Sequence, residues 1–132
     1  MATNSNYSNT ATATTAPAPS VSGWAKGFGS TGLDKGLAVT RDLNNNVLIA
    51  GLFELTVDFG GGPLTSAGST DIFVAKYSSA GVHIWSSRFG GNNVDVAWSI
   101  GCDNNGDVFV TGQFRDSIDF GGGTLTSAGL SD

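Results

Sequence analysis

Residues 58–68 read DFGGGPLTSAG, and residues 119–129 read DFGGGTLTSAG. The two strings lie about 61 residues apart, a spacing that marks a structural repeat. Extended outward without a gap, the match sets Trp24–Asp71 on Trp85–Asp132, with roughly 20 of 48 positions identical. Shared positions include Phe28/Phe89, Asp34/Asp95, Asp42/Asp103, Gly51/Gly112 and Phe53/Phe114. The chain therefore divides into an N-terminal Thr/Ala/Pro-rich segment (1–22), a first β repeat (23–84) and an incomplete second one (85–132).

Within each repeat the pattern is that of short strands. Leu37–Val39 and Trp98–Ile100 are apolar and run into Asp42–Asn46 and Asp103–Asp107, whose Asn and Gly residues suit tight hairpin turns. Val47–Ala50 and Val108–Thr111 return, apolar on both alternating faces, as expected for strands covered on both sides. Val57–Phe59 and Ile118–Phe120 read as strands stopped by three glycines, and Ile72–Tyr77 and Val82–Phe89 as two more. No sustained helical period appears. The expected fold is all-β, two tandem propeller-blade-like antiparallel repeats, with a β-sandwich or β-solenoid as the alternative architecture.

The string DFGGGPLTSAGSTDIFVAKYSSAGVHIWSSRFGG, and the segment from Trp98 to Phe114, closely resemble the SBBP-type β-propeller repeat of bacterial secreted and surface proteins. The resemblance covers about residues 24 to 132. It implies a blade-like unit and an extracellular or cell-surface bacterial location, and it brings no catalytic signature. Such repeats usually come in longer arrays, whereas this sequence holds not quite two.

Composition narrows the function. A net charge of −5 disfavours nucleic acid and anionic membrane surfaces, and no apolar run is long enough to cross a bilayer. Cys102 is the only cysteine and cannot form an intrachain disulfide. Met1–Asn4 shows neither a basic n-region nor an apolar h-region, so no secretory signal is visible.

Candidate chemistry is sparse, and the chain is not expected to be an enzyme. Asp58-Phe59-Gly60 spells the kinase metal motif without its companions, and the glycine triplets suit tight bends better than an anion cradle. Asp103, Asn105 and Asp107 are spaced like the start of a calcium loop but lack its glycine and distal glutamate, so turn structure competes with calcium as their role. His83 has no second His or Cys partner and no nearby Ser–His–Asp arrangement, which favours packing or solvent exposure over a metal or triad role. Trp24, Trp85 and Trp98 suit either core packing or sugar stacking.

Two blades cannot close a propeller, so each end should expose an apolar face and an open sheet edge. Self-association into a homo-oligomeric ring or a filament is the expected remedy. At the repeat spacing, Thr12, Ala13, Thr14 and Thr15 fall opposite Phe73–Lys76 in the strand that holds Ile72 and Val74. Residues 1–22 then read either as a linker or as an exchanged strand completing a blade. The functional expectation is a non-enzymatic extracellular structural protein forming a fibre, filament or surface layer. The alternative is an oligomeric propeller that binds a partner such as a glycan. No cofactor is expected, calcium being the one candidate.

Overall fold

The computed structural model describes residues 23–132, which form an all-β fold with no helix among them. Strands β1 (Lys35–Arg41), β2 (Val47–Phe53), β5 (Asp71–Tyr77) and β6 (His83–Phe89) make one antiparallel sheet in the order β1-β2-β5-β6. The hairpin β3 (Thr56–Asp58) and β4 (Pro63–Thr65) projects between β2 and β5. The pattern then restarts: β7 (Val96–Cys102) pairs with β8 (Val108–Gln113), and β9 (Ser117–Asp119) with β10 (Thr124–Thr126). The first sheet is a four-stranded blade, and the second contains the equivalents of its first two strands and its hairpin. The blade's last strand runs on to Phe89, so the boundary drawn between residues 84 and 85 falls inside β6.

Aspartate side chains tie the turns. Asp42 Oδ1 accepts the amides of Asn44 and Asn46, and Asp103 Oδ1 accepts those of Asn105 and Asp107. The left-handed position of the turn is Asn45 in one copy and Gly106 in the other. The glycine triplets stop β3 and β9, as expected, and turn the chain into a further short strand. Asp58 Oδ1 accepts the amides of Gly60 and Gly62, both at positive φ, and the chain returns as β4; Asp119 does the same with Gly121 and Gly123. Two amides of each triplet are thereby taken by the protein's own carboxylate, leaving no ready cradle for an anion.

The hydrophobic residues of β2 face both ways. Leu48 and Ala50 join Ile72 and Val74 on the front face, packed against Ala97, Ile100 and Ile118 of the second blade. Phe53, Phe73, Ala75 and Tyr77 lie on the back face with Val57 and Phe59, where Trp24 and Phe28 pack over them. Each face of the central strands thus has a cover, as the doubly apolar pattern of Val47–Ala50 required.

A bulge between Gly36 and Ala38 in β1 recurs between Ala97 and Ser99 in β7. Gly51 and Gly112 lie opposite these bulges, and a Cβ there would stand 1.9 Å from the Lys35 carbonyl oxygen and 2.0 Å from that of Val96. Gly51→Ala is therefore expected to cost about 2 kcal/mol or more, whereas Gly101→Ala, whose Cβ would meet nothing within 4 Å, should stay within about 0.5 kcal/mol of wild type. Urea unfolding of the two variants checks this; equal stabilities would contradict it.

Lys76 Nζ lies 2.8 Å from Asp42 Oδ2 and holds that carboxyl well below the usual range, helped by the Asn46 side chain. A carboxyl depressed on folding contributes stability that is full above its unfolded pKa of about 4 and is lost as pH falls toward the folded value. Lys76→Met should lower stability at pH 7 and flatten the acid limb of the stability curve. Denaturation midpoints between pH 2 and 7 measure both, and an unchanged acid limb would contradict the assignment.

Candidate assembly surface

The internal junction between blades supplies the geometry of any larger assembly. Strand β7 lies against β1 and β2, and less extensively against β5, so the innermost strands of the blades are the closest. The front of the first blade meets the back of the second. The two surfaces differ, so the contact is head-to-tail in character.

Equivalent positions in the two repeats reveal which surfaces are left over. Leu48 in β2 is 0% exposed, whereas Phe109, its counterpart in β8, is 59% exposed. Ile100 in β7 is 8% exposed, whereas Val39, its counterpart in β1, is 68% exposed. The front of the second blade, with Phe109, is thus bare where the first blade's front is covered, and Trp98 in the β7 bulge is exposed as well. On the back of the first blade, Trp24 and Phe28 cover the aromatic cluster near Tyr77, and Val39 stays open. That back face is better covered than two bare ends would require. A cavity of about 300 Å³ bordered by Phe28, Ile49, Phe53 and Tyr77 remains there.

The second blade also has an open edge. In the first blade β2 is paired on both sides, with β1 and β5. Strand β8 is paired with β7 alone among the described residues. Residues Phe114 and Asp132 exchange backbone hydrogen bonds of 2.8 and 3.0 Å, in the register of Phe53 and Asp71. Beside this edge is a cavity of about 500 Å³ between the blades, lined by Trp85, Phe89, Val108, Val110 and Phe120 among others.

Of the residues singled out in the sequence, Thr12, Ala13, Thr14 and Thr15 lie outside the described residues. Ile72 and Val74 are buried on the front of β5, which is paired with both β2 and β6. They serve the junction inside the chain and are not open to a second molecule. Asp103, Asn105 and Asp107 come together as a turn: the carboxylate of Asp103 faces the amides of the other two, and the Asp103 amide donates to the Asp107 carbonyl. No group of three or more His, Cys, Asp or Glu side chains that could hold a metal ion is gathered among the described residues.

The shared aspartates Asp34 and Asp95 staple loops. Asp34 accepts from the backbone amides of Ser30 and Glu54, and Asp95 from those of Gly91 and Arg115. Burial pushes the Asp95 carboxyl up, while the Gly91 and Arg115 amides pull against it. His83 is half-buried against Tyr77 and the glycine run, with Nε2 3.1 Å from Ser86 Oγ. The surface residues Val39, Phe109 and Phe120 carried no mark in the sequence. The signal that finds them is a comparison of exposure at equivalent repeat positions, which needs the fold.

No family model matches the chain. An uncharacterized WD repeat-containing protein of Acanthamoeba polyphaga mimivirus is 30% identical over 112 residues, an alignment covering 71% of this chain and 8% of that relative's length. A relative named for its WD repeats and two successive blade-like units agree on the architecture: the chain is a β-propeller-like repeat protein.

Proposed function

We propose that the protein is a non-enzymatic structural module whose copies associate head to tail, the front of one molecule's second blade on the back of the next molecule's first blade. The observation that carries this reading is the reversal of exposure at matched positions: Phe109 bare where Leu48 is buried, Val39 bare where Ile100 is buried. A second copy docked in the geometry of the internal junction buries both. Full burial of side chains of this size is worth about 1.5–3 kcal/mol each. A heterologous contact of this kind closes into a ring if its rotation permits and otherwise grows into a filament. The resemblance to repeats of bacterial secreted and surface proteins supports an extracellular role as a fibre, filament or surface-layer subunit.

A second reading, an oligomeric propeller that binds a partner such as a glycan, is favoured by the exposed indole of Trp98. A glycan array with the wild-type chain and Trp98→Ala separates it from the first reading.

The assembly reading predicts that light scattering will show mass growing with concentration, with regular polymers or rings in the electron microscope. Phe109→Asp blocks the front and Val39→Asp blocks the back, so each variant alone should stay monomeric. An equimolar mixture should stop at a dimer, because each chain keeps one intact end. A wild-type chain that remains monomeric at every concentration would contradict the proposal.

A further inference from the structure

We propose that Asn105 is a self-modifying site: the Gly106 backbone nitrogen attacks the Asn105 carboxamide, ammonia leaves, and water converts the resulting cyclic imide into aspartate or isoaspartate in the turn between β7 and β8. The site lies wholly inside the described chain, and the inference does not rest on head-to-tail docking.

The chemistry needs an asparagine whose following backbone nitrogen is unshielded, in a segment free to bend. Asn105-Gly106 is the one Asn-Gly pair in the sequence. Both residues are exposed. Gly106 carries no side chain beside its nitrogen, and a Cβ there would meet nothing within 4 Å, so its surroundings are open as well. The Gly106 amide donates a 3.1 Å hydrogen bond to the Asp103 carbonyl, which must open before the attack. In an exposed turn such a bond opens by local fluctuation. Asn105 Nδ2 lies 3.4 Å from Asp103 Oδ2, which sets an acceptor beside the group that leaves.

A bond forms between Gly106 N and Asn105 Cγ, the Cγ–Nδ2 bond breaks, and the Gly106 amide proton departs with Nδ2 as ammonia. Water then opens the imide. Opening at Cγ restores the ordinary backbone with an aspartate. Opening at the Asn105 backbone carbonyl carbon sends the chain through Cγ as isoaspartate. Nothing is oxidised or reduced.

The first repeat is a matched comparison. Asn44 and Asn45 occupy the equivalent positions and are exposed too. The Asn44 amide donates to Asp42 Oδ1 at 2.9 Å and the Asn45 amide to the Asp42 carbonyl at 3.0 Å, as the Asn105 amide donates to Asp103 Oδ1 at 2.9 Å. Asn45 and Gly106 both have positive φ, 61° and 89°. Turn geometry is shared, so what separates the two sites is the side chain of Asn45, which stands beside the nitrogen that would attack.

The products act on the turn in different ways. Asp103 accepts the Asn105 and Asp107 amides on Oδ1 and donates its own amide to the Asp107 carbonyl. Isoaspartate inserts a backbone methylene among these partners and moves Gly106 and Asp107 out of register with Asp103. Aspartate keeps the backbone and adds a negative charge between Asp103 and Asp107. The affected hairpin includes β7, the strand that lies against the first blade.

The test holds the full chain in warm, mildly alkaline buffer and reads its proteolytic peptides by mass spectrometry. A mass gain of about one dalton is expected at Asn105, as a mixture of aspartate and isoaspartate, with Asn44 intact. Gly106→Asn, which places in this turn the residue found at Asn45, should fold and slow the conversion about tenfold or more. The reciprocal Asn45→Gly should make Asn44 convert alongside Asn105. The isoaspartyl form, separated by ion exchange, should unfold at lower urea than the intact chain. An Asn105 that stays intact while the peptide of residues 100–110 converts would overturn the proposal, because the folded turn would then forbid ring closure. Equal conversion of Asn44 and Asn105 in the wild-type chain, or an unchanged rate in Gly106→Asn, would overturn it as well. Peptide mass is read independently of oligomer mass, so failure here leaves the assembly reading intact, and the reverse.

Discussion

The rest of the structure depends on the contact between the front of the first blade and the back of the second. Leu48, Ala50, Ile72 and Val74 of the first blade close on Ala97, Ile100 and Ile118 of the second, and the innermost strands approach most closely. The burial is non-directional in its physics but directional in its geometry, because front meets back. The same two kinds of surface occur once more among the described residues, on the back of the first blade and the front of the second. The back end is relieved by Trp24 and Phe28, which lie over the aromatic cluster as Trp85 and Phe89 lie beside the second blade. The front of the second blade has Phe109 in the open.

Around that contact the chain reuses a small set of backbone devices. Carboxylates at Asp42, Asp58 and Asp34, and their counterparts Asp103, Asp119 and Asp95, each accept two backbone amides and fix a turn or loop. Left-handed backbone recurs at Leu55 and Asp116, one repeat apart, although neither is glycine. Much of the acidic character that gives the chain its net charge of −5 therefore has a structural role in the loops. The same devices explain why the aspartates resemble ligands: a carboxylate aimed at neighbouring amides and one aimed at a cation have similar local sequence.

The repeat, its strands and the two-faced burial of Val47–Ala50 were legible in the sequence, because periodicity and turn chemistry are local properties. Strands β4 and β10 were not, since Leu64 and Leu125 sit in Thr/Ser/Gly surroundings that read as loop, and only the pairing across the glycine turn makes them strands. The candidate surface was legible as an idea, that two blades leave bare ends, but not residue by residue. Phe109 and Leu48 look alike as letters; the neighbour that covers one and not the other is a property of the assembled blades. Nor did the sequence bring Trp85, Phe89 and Phe120 together, because the cavity they line forms only once the two blades are packed.

The central claim is that the bare front of the second blade, marked by Phe109, is covered by the back of another molecule's first blade. Hydrogen exchange read by mass spectrometry compares the matched strands directly. In dilute solution the amides of β8 should exchange much faster than those of β2, and the difference should shrink as concentration rises while β5 stays unchanged. Protection of β8 equal to that of β2 in the dilute monomer would contradict the account.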